Sequence, residues 1–147
     1  MNTTENPPGR IVVGVDGSDS SQKALRWALH QAQLTGSIVE ALITWEYPTF
    51  SAGSASPEAF SFAENAQKVL AATVSDTIGE QPPVGIGESV VFGNAPQALL
   101  HASRGAELLV LGSRGHGGFT GALLGSVSQH CVQHASCPVV IVREGEH

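Results

Sequence analysis

The chain has 147 residues, of which 41% are apolar and 14% charged, so it can form one hydrophobic core and is too apolar to stay disordered. Its net charge is −6, with lysine only at Lys23 and Lys68, and no basic cluster of the kind that duplex DNA or RNA requires. A single nucleotide stays possible, because backbone N–H groups can hold its phosphates without net positive charge.

Met1 to Gly9 is polar, contains Pro7-Pro8 and reads as a disordered tail, neither signal peptide nor transit segment. Residues 10–147 read as one domain. No window reaches the ~18 apolar residues of a membrane span, so no membrane partner is expected. Cys131 and Cys137 form neither a C-x-x-C pair nor a disulfide framework, which suggests a cytoplasmic protein with reduced thiols.

Ile11 to Val15 is a short β-branched run, the pattern of a strand buried on both faces. Asp16 to Ser20 follows as a turn rich in N-cap residues. Ala24, Leu25, Ala28, Leu29 and Ala32 then recur at helical spacing, and Gly36 marks the stop. Ile38 to Trp45 is the second strand. Ser56-Pro57-Glu58 opens a helix that runs to about Ile78, with Phe60, Ala63, Ala66, Leu70 and Val74 inward. A third strand lies within Gly85 to Phe92, weakened by Gly85 and Gly87. Asn94 and Gln97 resemble a capping box for a helix over Ala95 to Ser103. Leu108 to Leu111 is the fourth strand. A loop from Gly112 to Gly118, a helix over Val127 to His134 and a fifth strand over Pro138 to Val142 complete the chain. The alternation predicts an α/β fold, a mainly parallel sheet with helices on both faces.

Ligands of such sheets bind beyond the carboxyl ends of the strands, where strand order reverses. Two strand ends stand out: Gly14-Val15-Asp16-Gly17-Ser18, and the glycine-rich run from Gly112. In the latter, Gly112-x-x-Gly115 is followed after nine residues by Gly125-Ser126, then Val127 and Ser128 at a helix start. Phosphate oxygens need several converging N–H donors, glycine removes the side chains that obstruct them, and a helix start adds unpaired N–H groups. Ser126 and Ser128 would add hydroxyls. A ligand-free glycine-rich connector is the plainer alternative.

Gly112, Gly115, Gly125 and Ser126 at this spacing resemble the ATP-binding motif of the universal stress protein family. Ile11 to Ser18 is similar to that family's first strand and acidic turn, and Ala135 to Val142 to its closing strand. The resemblance implies a three-layer, doubly wound, five-stranded parallel sheet of order 3-2-1-4-5. It implies that Gly14 and Val15 line the adenosine side, and that Asp16 lies near the ribose, the phosphates or a magnesium or manganese ion. It also implies that Thr44 offers backbone groups to adenine, that Gly112 approaches the ribose, and that Gly115, Gly125, Ser126 and Val127 hold the phosphates. Members like this one dimerise through the last strand, and Pro138 to Val142 is an apolar edge that would pair, so a homodimer is expected.

Other readings bear on the same residues. Asp16 fits a turn or N-cap as well as a ligand contact. Arg114 could clamp a phosphate or simply be solvated. His130 and His134, four apart with Cys131 and Cys137 nearby, could hold zinc, although packed or surface histidines are the commoner case. No G-K-[ST] follows a strand, and the first turn is not G-x-G-x-x-G, which disfavours a Walker or dinucleotide site. Backbone donors and one arginine suit holding ATP more than splitting it. Three functions therefore stay open: an ATP-binding stress-response module, a slow ATPase or nucleotidyl-transfer enzyme, and a cyclic AMP binder.

Overall fold

The computed structural model describes residues 8–47, 57–79, 84–114 and 125–143, with the backbone alone for 57–60. Among the described residues, five strands and four helices alternate: β1 (Arg10–Gly14), α1 (Asp19–Thr35), β2 (Ile38–Trp45), α2 (Pro57–Ile78), β3 (Ile86–Phe92), α3 (Ala95–Ser103), β4 (Leu108–Gly112), α4 (Ser126–His134) and β5 (Val139–Val142). All strand pairs are parallel and the order is β3-β2-β1-β4-β5. The tail before Pro8, Ser56 and the Phe60 side chain lie outside the described residues.

The central strands explain the sheet. Ile11, Val12 and Val13 are all fully buried, as are Leu109 and Val110 of the neighbouring strand. Residues that alternate along β1 and β2 feed two different cores. Ile11, Val13, Val39, Ala41 and Ile43 pack under Ala24, Leu25 and Ala28 of α1 and Leu70 and Val74 of α2. Val12, Leu42, Leu109 and Leu111 pack under Leu99 of α3 and Cys131 of α4. Ala66 is buried with Leu70 and Val74, while Ala63 is half-buried.

Local chemistry sets the helix ends. The Ser18 side chain caps α1 by accepting from the Ser21 amide at 3.1 Å. Gly36 closes it in the left-handed region at φ 75°, where a Cβ is disfavoured, and donates to the Ala32 carbonyl at 2.8 Å. Asn94 caps α3 by accepting from the Gln97 amide at 3.1 Å. Arg10 ties the far end of α3 to the sheet. It pairs with Glu40 at 3.0 Å and donates to the carbonyls of Ala102 and Arg104 at 2.7 and 3.0 Å.

Element limits move by a residue or so. β1 is Arg10–Gly14, although the Val15 amide still bonds the Leu42 carbonyl at 2.8 Å. α4 begins at Ser126, and β5 begins at Val139 because Pro138 contributes only its carbonyl, to the Leu109 amide.

His130 and His134 lie ring against ring with centroids 4.6 Å apart. Among the described residues no three His, Cys, Asp or Glu side chains converge as a metal cage. Cys131 is fully buried, and burial pushes its thiol from the ordinary 9.0 up to about 11. The unfolded thiol ionises first, so stability is whole below about pH 9 and drains as pH rises towards 11. Native alkylation at pH 8 is therefore expected to leave Cys131 unmodified until denaturant is added, as mass spectrometry of digested protein would report. Modification of the native protein at the unfolded rate would contradict this burial.

Candidate functional site

The order β2-β1-β4 makes the chain leave β1 and β4 in opposite directions, which opens a crevice beyond their carboxyl ends. A cleft of about 230 Å³ lies there. Gly14, Val15 and Asp16 bound it from β1, and Thr44 from the end of β2. Gly112 and Arg114 approach from β4, and Gly125, Ser126, Val127 and Ser128 from the start of α4. The structure thus gathers ten of the eleven residues expected at the site; the eleventh, Gly115, lies outside the described residues.

Each glycine has a local reason. A Cβ on Gly112 would lie 2.7 Å from the Ser20 carbonyl oxygen and 2.8 Å from its carbon, so this position is small because the first turn of α1 docks on it. A Cβ on Gly14 would press on Leu111 and Leu99, at 2.9 and 3.2 Å, and both leucines wall the cleft. Gly125 has φ −71° and ψ 166°, which any residue adopts. Its own amide donates to the Ser113 carbonyl at 2.7 Å, so it differs from the expected phosphate donor. What its missing side chain provides is an open approach to the helix behind it.

That helix start is distinctive. The N-termini of α1 and α3 are closed by Ser18 and Asn94, whereas Gly125 makes no side-chain cap on α4. The amides of Ser126, Val127 and Ser128 therefore meet the cleft with the positive end of the helix dipole. Ser128 corrects another expectation. Its hydroxyl is buried and donates to the Gly112 carbonyl at 2.7 Å, so its proton braces the strand end and is not directed at a ligand.

Asp16 stands at the exposed rim as a turn residue. Its carboxylate accepts from the Ser18 amide at 2.9 Å and the Ser18 hydroxyl at 2.5 Å, an Asx-turn, while Ser18 holds the N-cap role. Its backbone amide donates to the Ser21 hydroxyl at 3.2 Å. Several lining residues escaped the sequence reading: Ser21, Leu42, Ile43, Ala95, Leu99 and Leu111. Leu99 belongs to the core between α3 and the sheet and also lines the cleft, a placement set by the packing of α3 over β1. The cleft thus combines an apolar wall with the partial positive charge of a helix start. A molecule with a flat apolar part and an attached anion matches both.

Residues 8–143 match a family model described as the Universal stress protein family. Among curated proteins, a universal stress protein of Mycobacterium tuberculosis is 36% identical over 140 residues, covering 91% of this chain and 45% of that protein. The chain thus spans about half the length of the curated relatives it matches. Among solved structures, a universal stress protein from Lactobacillus plantarum superposes with a TM-score of 0.75 at 21% identity, covering 94% of this chain and all of that one. A universal stress protein solved in complex with cAMP gives a TM-score of 0.61 at 26% identity, covering 94% of this chain and 98% of that one.

Proposed function

Since the chain belongs to the universal stress protein family, we propose that it binds ATP in the cleft beyond β1 and β4 and acts as a nucleotide-dependent regulatory module. The observation that carries this reading is the start of α4: a helix N-terminus without a side-chain cap, lining a cleft whose other wall is apolar. Adenine takes the slot beside Val15, Thr44 and Leu99, and the ribose lies along Gly14. The phosphates meet the amides of Ser126 to Ser128, with Arg114 beside them. The cavity is below the ~300–1,000 Å³ of enclosing ligand pockets, so the outer phosphates extend out of the cleft into solvent.

Magnesium fits this arrangement. It binds through one or two carboxylates together with substrate phosphates, and Asp16 puts one carboxylate at the rim. When bound, the ion would neutralise phosphate charge; Asp16 would hold it on the β1 side. Manganese, with similar oxygen preference, would serve as well.

A second reading has its own support. A relative at 26% identity was solved with cAMP, and the Gly125 amide is engaged internally, which leaves fewer donors for a long phosphate chain. Cyclic AMP would then occupy the same cleft. Calorimetric titration with ATP, ADP, AMP and cyclic AMP, each with and without magnesium, decides between them. The primary reading expects ATP with magnesium to bind tightest, and cyclic AMP winning in competition would reverse the order.

Assembly and location complete the proposal. β5 is an edge strand of four valine and isoleucine residues, all half-buried, and Val132 on the adjacent helix is 48% exposed. Edges of this kind pair, so two copies join through β5. Light scattering at micromolar concentration is expected to give the dimer mass, and Val140→Lys to give the monomer. A monomeric native chain would contradict this. The free thiols of Cys131 and Cys137 suit the reducing cytoplasm.

A further inference from the structure

The geometry points to Ser20 as a positioning residue of this cleft, an assignment that rests on the nucleotide reading above. Ser20 sits in the first turn of α1 and is only 2% exposed. It does not itself line the cleft but touches two residues that do, Gly112 and Arg114. It acts through the strand exit at residues 112–114, where the glycine-rich segment begins.

Four main-chain groups of that exit are tied down. The Gly112 carbonyl accepts from the Ser128 hydroxyl at 2.7 Å. The Ser113 amide donates to the Val142 carbonyl at 3.0 Å, and the Ser113 carbonyl accepts from the Gly125 amide at 2.7 Å. These three ties lead to α4 and β5. The fourth runs the other way: the Arg114 amide donates to the Ser20 hydroxyl oxygen at 3.2 Å. Ser20 therefore anchors the exit from the α1 side, and its backbone fills the space that a side chain on Gly112 would need.

The functional consequence follows from the positions of the two halves of the site. Asp16 and Val15 move with β1 and α1, whereas Ser126 to Ser128 move with α4. The Ser113–Gly125 bond links α4 to the strand exit, and Ser20 links that exit to α1. Ser20 thus sets the register between the β1 side and the α4 amides. Loss of its oxygen leaves the half-buried Arg114 amide without that acceptor and lets the exit drift. Ligand affinity falls with the register, beyond what lost stability explains.

Ser20→Ala tests this against Ser103→Ala as control. Ser103 is also fully buried and its hydroxyl makes one comparable bond, to the Leu100 carbonyl at 2.9 Å, but it lies at the far end of α3. Both variants are expected to lower the melting temperature slightly. Titration at a temperature where all three proteins are folded should show Ser20→Ala weakening ATP by at least about fivefold, and Ser103→Ala within about twofold of wild type. Hydrogen exchange of the Arg114 amide should quicken about tenfold in Ser20→Ala alone. Wild-type affinity in Ser20→Ala, or equal weakening in both variants, would overturn the role of Ser20 while leaving the nucleotide reading intact. Absence of ATP and cyclic AMP binding by the wild-type chain would remove the nucleotide reading and this assignment with it.

Discussion

Gly112→Ala is expected to lose both stability and ligand, although it adds a single methyl group. The new carbon would stand 2.7 Å from the Ser20 carbonyl oxygen, and the obstacle is backbone, which cannot rotate away. Either α1 or the end of β4 must shift. Overpacking of this kind costs about 1–3 kcal/mol, and the melting temperature of a domain this size falls by about 2–4 °C per kcal/mol. The shift also breaks the register between the strand exit and the α4 amides, so adenine nucleotide affinity drops at least about tenfold, ~1.4 kcal/mol. Gly87→Ala is the contrast. Nothing lies within 4 Å of a Cβ there and its φ is ordinary, so the same change in β3 should leave stability equal or higher by up to about 1 kcal/mol. Thermal melts and calorimetric titrations of the pair decide the matter. Equal behaviour of the two variants would show that Gly112 is not pinned by α1.

Leu109→Ala is expected to be the most destabilising single truncation. Leu109 is fully buried on β4, between β1 and β5, and packs with Val12, Leu42, Leu99, Leu111 and Cys131. Removing three carbons leaves a cavity that neighbours held by parallel pairing cannot close, at a cost of about 2–5 kcal/mol. Against a total stability of about 5–15 kcal/mol this is a large fraction. Urea unfolding should show a lower midpoint at unchanged slope. Leu99 and Leu111 also wall the cleft, so ligand affinity should weaken with the loosened core. A loss below about 1 kcal/mol would mean that the layer between sheet and α3 collapses to fill the space.

Much of the fold is legible in the chain because its signals are local. The β-branched run at Ile11 to Val13, the cap residues Ser18 and Asn94, and the stop at Gly36 each act within a few residues. The limits of β2, α2 and α3 follow directly, and the strand order follows from the family resemblance. The cleft is legible as far as its glycine pattern reaches. Its remaining determinants are long-range. Nothing near Gly112 in sequence announces that Ser20 occupies its side-chain space, since the two are 92 positions apart. Nor does anything near Arg10 in sequence announce that α3 packs beside it and offers two carbonyls. Ser128 shows the reverse case: a hydroxyl in the expected place whose proton goes to Gly112. Residue types reveal what a segment can donate, and tertiary packing decides which of those groups face the ligand.

The most direct test is an amide titration by nitrogen-15 NMR, with magnesium-ATP added to the folded chain. The amides of Ser126, Val127 and Ser128 are expected to shift together and to saturate at one nucleotide per chain, while the Ser113 and Gly125 amides keep their hydrogen-bond protection. Saturation with those three amides unmoved, or shifts confined to residues away from the ends of β1 and β4, would contradict the account.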